Sequence, residues 1–255
     1  MIQVDSIKPP ALTPAQTLRI QEVVGVFLYY SRAVDPMMIV AINKIGSKQA
    51  KADITIMEEI DRFLQYASRW KNAVMRIHAS DMKLQVHSDA SYLSESKSRS
   101  RAGAYMFLGT HIIGQKPNAA VSFISTIIST VVDSAAAAEY AALFIAAQAA
   151  TSIRLTLADL GYPQEPTPIT CDNECAVGIA NKSFTQKRSK TIDMRYHWIR
   201  DQVKLKNFSV TWQPGADNLA DFFTKAHPVH HHLKMMETYL VPEEGVLESQ
   251  IPVSE

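Results

Sequence analysis

The apolar residues of this chain change period near Ala79, and that change divides what it can fold into. Upstream they recur at helical spacing. Downstream they first alternate, as strands do, and only later return to a helical period. A chain that runs from strands into helices and back requires a mixed α/β domain, here preceded by a mainly helical segment.

Upstream, residues 1–12 carry Pro9 and Pro10 without a periodic pattern and read as a tail. Thr13-Pro14 offers an N-cap followed by proline at the first helical position, with Ile20, Val23, Val24, Phe27 and Leu28 behind it, which predicts a helix of about five turns. A second helix is expected around 36–49 and a third over 53–69, capped by Asp53 and striped by Ile56, Ile60, Phe63, Leu64 and Ala67. Phe27, Tyr29, Tyr30, Phe63 and Tyr66 are expected to pack this segment.

Downstream, KLQVHSDAS puts Leu84, Val86 and Ser88 on one strand face and Gln85, His87 and Asp89 on the other. The polar loop SESKSRSR, a strand at 102–108, a turn at Gly109 and a strand at 120–127 follow, suggesting an antiparallel meander. Asp133 or Ser134 caps a long helix reaching about Leu160 and stopped by Gly161, with a stripe from Leu143 to Leu160 that fits against a sheet. A short strand at 168–172 is then expected to pair in parallel with the first. A small helix, the loop SFTQKRSK, a helix at 191–206, a strand at 208–212 and a final helix at about 217–225 complete the order.

Composition adds limits. Hydrophobic residues are 47% and charged residues 20% of 255, as in an ordinary globular protein, and the net charge of +1 leaves any nucleic-acid affinity to local basic clusters. Cys171 and Cys175 cannot make a disulfide framework, which fits a reducing compartment, cytoplasmic or nuclear. The start MIQVDSIKPP lacks the pattern of a signal peptide, and no stretch approaches about 20 uninterrupted apolar residues, so a soluble chain away from membranes is expected.

Four acids stand where a structural role is awkward. Asp89 interrupts an apolar strand, and Asp172 ends the fourth strand just before a helix, where ligands collect in open α/β sheets. Glu139 lies on the sheet-facing stripe of the long helix, four residues before Leu143, where an unpaired carboxylate is costly. Asp221 sits between Leu219-Ala220 and Phe222-Phe223. If the fold brings all four together they repel one another unless a cation neutralises them. A pair of hard divalent cations then suits phosphodiester hydrolysis, because it supports both the attacking and the leaving oxygen.

In order and spacing, SDASYLS with KSRS, AEYAAL, TCDNECAVGIA, KTIDMRYHWIRD and ADNLADFFTKAHP closely resemble the ribonuclease H domain of copia-type retrotransposon Pol polyproteins, over about residues 80–232. The resemblance implies an RNase H-like fold: a mixed five-stranded sheet, three antiparallel strands then parallel additions, flanked by helices. It implies domains at 1–78 (a reverse transcriptase thumb and connection-like segment, most similar in VVGVFLYYSRAVDP) and 79–232, with 233–255 as a C-terminal tail. It further implies two Mg2+ ions, with Mn2+ as a substitute, and cleavage of the RNA strand of RNA/DNA hybrids. Asp89 would touch both metals, Glu139 and Asp172 one, and Asp221 the other, with Asp217 as the competing fourth acid. The implied partners are the hybrid and the polymerase part of the same polyprotein. The contrasting reading is an inactive nucleic-acid-binding or connection module left from a degenerate retroelement.

Three departures from the family pattern stand out. Trp212-Gln213-Pro214-Gly215 leads to Asp217 without the histidine many cellular RNases H carry before the last acid, Ala137 replaces a common glutamate, and the polymerase's paired aspartates are absent. Lys97, Arg99, Arg101, Lys187, Arg188, Lys190, Arg195 and Arg200 are candidates for the path of a phosphate backbone, which such residues position without reading sequence. Ser91 and Asn173 are candidate hybrid contacts. His227, His230, His231 and His232 read as a surface run, because no neighbouring acid or cysteine in the sequence completes a metal motif.

Overall fold

The computed structural model describes residues 12–110, 116–181 and 190–241, the side chains of 190–196 excepted. The chain divides into two compact units, Met1–Val74 and Met75–Glu255. The expected tail at the start and the loop at 183–189 fall outside the described residues, apart from Leu12.

The first unit holds helices α1 (Pro14–Ala33), α2 (Ile39–Lys48) and α3 (Ile54–Arg69). The Thr13 hydroxyl accepts from the backbone N–H of Gln16 while the Gln16 side chain accepts from the N–H of Thr13, a complete capping box. Asp53 accepts from the N–H of Thr55 and so starts α3. Ile20, Ile42, Ile45, Ile56, Ile60 and Phe63 are buried, and Phe27 meets Phe63 edge-on at 5.0 Å. Tyr29, expected inside, is 77% exposed.

The second unit follows the expected strand and helix order, as β1 (Leu84–Glu95), β2 (Arg99–Leu108), β3 (Ala120–Ile127), α4 (Ala135–Asp159), β4 (Thr167–Cys171), α5 (Glu174–Ala180), α6 (Lys190–Lys204) and β5 (Phe208–Trp212). The sheet order is β3-β2-β1-β4-β5. β1, β2 and β3 pair antiparallel, and β4 and β5 add in parallel. This is the RNase H-like arrangement that the sequence motifs implied. The polar stretch expected as a loop is instead mostly strand: Ser91–Glu95 continue β1, Arg99–Arg101 open β2, and the turn is only Ser96–Ser98, with Lys97 and Ser98 at positive φ.

Both sheet faces are covered. Leu84, Val86, Ala104, Met106, Ile169 and Val210 meet Leu143, Ala146, Ala147, Ala150 and Leu157 of α4, with Ile179 and Ile199 behind them. By length and hydropathy α4 passes as a candidate membrane span, but here its apolar stripe is taken up by the sheet. Ser134 caps it through the N–H of Ala137, and Gly161, at φ 91°, allows the reversal after it.

The opposite face, carrying Tyr105 and Phe107, is closed by the C-terminal segment, where two expectations fail. Residues 217–225 do not form a helix. Two single 3-10 turns, Gly215–Asp217 and Asp221–Phe223, carry that stretch, and an eleven-residue helix, α7 (Val229–Tyr239), follows where a tail was expected from 233. The reason is aromatic packing: Tyr239 is 2% exposed, donates its hydroxyl to the carbonyl of Leu219 at 2.6 Å and touches the rings of Tyr105, Phe222 and Phe223.

Candidate active site

Each of the four acids reaches the site from a different element. Asp89 is in β1, Glu139 is in the second turn of α4, Asp172 directly follows β4, and Asp221 begins the second 3-10 turn. Every one of the six pairs among them interacts electrostatically. Asp89 is 4% and Glu139 7% exposed, so the repulsion acts where water screens it poorly.

The consequence is visible in their proton affinities. Burial first, then Asp172 and Asp221, pushes the Asp89 carboxyl up to about 6. Burial, then Asp89 and Asp172, pushes Glu139 up to about 9, even though the backbone N–H of Ala90 bonds to it. Asp172 is raised as well, chiefly by burial. The Cys171 thiol, 4.0 Å from Oε2 of Glu139, is held protonated by burial and by that neighbour. Among the described residues, Lys225 offsets the charge on Asp89 and Asp172. Its ammonium is 2.6 Å from Oδ1 of Asp221. Burial opposes that charge, but the hydrogen bond to Asp221 and the pull of Asp221, Asp89 and Asp172 outweigh it and hold the lysine above its usual value.

Asp217, the competing fourth acid, is exposed, and the carboxylates that raise Asp89 include Asp221. Its stretch is a clamp instead. Asn218 donates to the carbonyl of Ser88 at 2.9 Å, and the N–H of Leu219 donates to Nδ1 of the buried His87 at 3.2 Å, so the segment that delivers Asp221 is bolted to β1 beside Asp89.

Two glycines make room for that delivery. Gly103 lies opposite Asp89 in the β1–β2 register. A Cβ there would stand 2.7 Å from both the carbonyl oxygen of Ala220 and Cγ2 of Thr224. On Gly215 a Cβ would stand 2.7 Å from Oδ2 of Asp172. Sequence reasoning singled out neither glycine, nor His87, Asn218 and Lys225. Lys225, four residues after Asp221, had a local signal in its spacing; the others depend on register and on long-range contacts.

The basic and polar candidates separate into groups. Lys97 and Arg99 are exposed at the β1–β2 turn. Arg101 is not a surface residue: it is 1% exposed, pairs with Glu95 at 2.7 Å and donates to Ser125 at 3.1 Å, so it braces three strands and is turned away from any phosphate backbone. Ser91 donates to the carbonyl of Thr224 at 2.7 Å and pins the loop of Asp221. Asn173 accepts from the N–H of Ala176 and caps α5. Arg200 is half-buried and donates to the carbonyl of Ile179 at the end of α5. Lys187 and Arg188 lie outside the described residues, as do the side chains of Lys190 and Arg195, whose backbone belongs to α6.

Over 205 residues, 80% of its length, the chain is 25% identical to the retrovirus-related Pol polyprotein from transposon TNT 1-94 of Nicotiana tabacum. It is 26% identical over 201 residues to that from transposon RE1 of Arabidopsis thaliana. The chain is homologous to retrovirus-related Pol polyproteins. It spans 15% and 13% of the length of those two relatives. Among solved structures, LC11-RNase H1 isolated from compost aligns with a TM-score of 0.43 at 18% identity, covering 56% of this chain and 93% of that one. No protein-family model matches the chain.

Proposed function

We propose that the second unit is a ribonuclease H domain, a metal-dependent endonuclease that hydrolyses the RNA strand of RNA/DNA hybrids within a retrotransposon Pol polyprotein. The observation that carries the reading is the convergence of Asp89, Glu139, Asp172 and Asp221 from four elements, all six pairs in electrostatic contact.

The donor set fits a hard divalent cation. Oxygen ligands with high negative charge suit Mg2+ or Mn2+, and the repulsion that adds to burial in raising Asp89 and Glu139 is what a bound cation would relieve. Asp89, Glu139, Asp172 and Asp221 would hold the ions. Bound there, a divalent pair supplies an activated water and stabilises charge on the attacking and leaving oxygens. The chain's own part is to gather and orient these carboxylates. His87, Ser91 and Asn218 fix the segment bearing Asp221, and the N–H of Ala90 orients Glu139.

Hybrid recognition is assigned to the exposed Lys97 and Arg99 together with the basic stretch from Lys187 through Lys190 and Arg195, acting on phosphates without base readout. We further assign the first unit to the thumb and connection that adjoin a reverse transcriptase palm.

The test is incubation of the whole chain with Mg2+ and a labelled RNA/DNA hybrid, beside Asp89→Asn. Cleavage of the RNA strand by the native chain alone is expected. Hybrid binding without any cleavage would overturn the reading in favour of a non-catalytic duplex-binding module.

A further inference from the structure

The histidines after Asp221 bring donors that the acidic cluster does not use. His227 just precedes α7 and His231 lies in its first turn, with ring centroids 4.6 Å apart. Each offers a ring nitrogen within 4.8 Å of the other and of a carboxylate oxygen of Asp221. The two oxygens of that carboxylate are divided: Lys225 holds Oδ1 at 2.6 Å, while Oδ2 is 3.8 Å from Nε2 of His227. Phe222 stacks flat against His227 at 5.3 Å and 9°, leaving only 6% of the imidazole side chain exposed. His227 is thus held with Nε2 between Oδ2 and the carbonyl oxygen of Asp221, the latter 3.4 Å away and released if Nε2 takes a metal, and His231 is half-buried beside it.

We propose that Asp221, His227 and His231 form a second cation site, selective for a borderline divalent metal of the zinc class. Two imidazole nitrogens with one carboxylate oxygen are donors for Zn2+, Co2+ or Ni2+, whereas Mg2+ takes oxygen ligands. Tetrahedral zinc holds such donors at about 2.0–2.2 Å, which sets them roughly 3.4 Å from one another. From separations within 4.8 Å the triangle needs to close by at most about 1.4 Å, a movement within reach of the His231 side chain. Three protein ligands leave a fourth position for water.

The site shares Asp221 with the acidic cluster, so filling one site draws a ligand from the other. A zinc-class ion therefore acts as an inhibitor of the Mg2+-supported reaction; this consequence rests on the nuclease reading above, whereas the binding itself does not.

Two titrations of the full chain in excess Mg2+ test the proposal: Zn2+ read by calorimetry, and Co2+ read by its visible ligand-field absorption. One ion per chain is expected to bind, with affinity weakened at least about tenfold in His227→Gln and in His231→Gln, a loss found even for outer-shell partners of metals. Asp89→Asn should keep the binding. Equal affinity in both histidine variants, loss in Asp89→Asn alone, or no binding by the native chain would each overturn the site. Melting of each variant without metal controls for folding, and His231→Gln, at a half-buried position, carries the test if His227→Gln does not fold. In the cleavage assay Zn2+ should inhibit His231→Gln only at higher concentration than the native chain. Should no chain cut the hybrid, the nuclease reading falls while the two titrations still decide the metal site.

Discussion

Asp89 and Glu139 illustrate how one carboxylate changes the meaning of another. Alone, a strand aspartate or a helix glutamate is a cap or a solvated charge. Buried together, Asp89 adds to burial in raising the proton affinity of Glu139, and the fold carries that cost to keep the cluster. Replacing Asp89 by Asn, or Glu139 by Gln, should abolish hybrid cleavage by a factor on the order of 10³. The same changes should stabilise the metal-free chain at pH 8 by about 1–3 kcal/mol, because the cost of burying a carboxyl whose proton affinity is raised disappears. Denaturant unfolding without metal checks this, and a loss of stability in both variants would contradict the account. Gly103 acts at this scale too. Its missing Cβ is the space into which the backbone of Ala220 fits, so Gly103→Ala should cost about 1–3 kcal/mol by overpacking and reduce cleavage although it touches no acid. Unfolding and initial rates would show both effects together.

At the scale of elements, α4 brings Glu139 close because its sheet-facing positions are small. Ala146, Ala147 and Ala150 let the helix settle onto Leu84, Val86 and Met106, and Glu139 rides in on the same stripe. The C-terminal elements do the same for Asp221 from the other face. There the 3-10 turns are irregular, and what holds them is the aromatic cluster that α7 completes through Tyr239. Tyr239→Ala should therefore destabilise the second unit by about 3–5 kcal/mol, in the range of buried aromatic deletions. It should also lower cleavage by releasing Asp221, so loss of stability with unchanged cleavage in the folded fraction would separate α7 from the site.

Over the whole molecule, the acidic cluster couples folding to pH and to cations. The folded-state proton affinities of Asp89 and Glu139 lie above ordinary carboxylate values, so the folded chain binds more protons than the unfolded one. Their contribution is full at low pH and is lost as pH rises, through about 6 for Asp89 and about 9 for Glu139. Through these two groups the metal-free chain should melt higher near pH 5.5 than near pH 8.5. Added Mg2+ should raise the melting point most at the alkaline end, where the carboxylates are ionised, by mass action on the folded state. Melting curves of the native chain beside Glu139→Gln isolate the contribution, since the variant should lose much of the slope.

The order of elements as far as β5, the caps at Thr13, Asp53 and Ser134 and the two faces of β1 were legible from the chain alone, because period, capping and turn chemistry act over a few residues. So were the four acids as candidates, each being a charge set among apolar neighbours. The resemblance already preferred Asp221 to Asp217, but only the tertiary structure buried Arg101 with Glu95, turned Ser91 and Asn218 into clamps and set His227 and His231 beside Asp221. Those outcomes depend on register between strands and on contacts spanning up to 133 residues, and a local pattern carries no information about what a distant segment will place beside it.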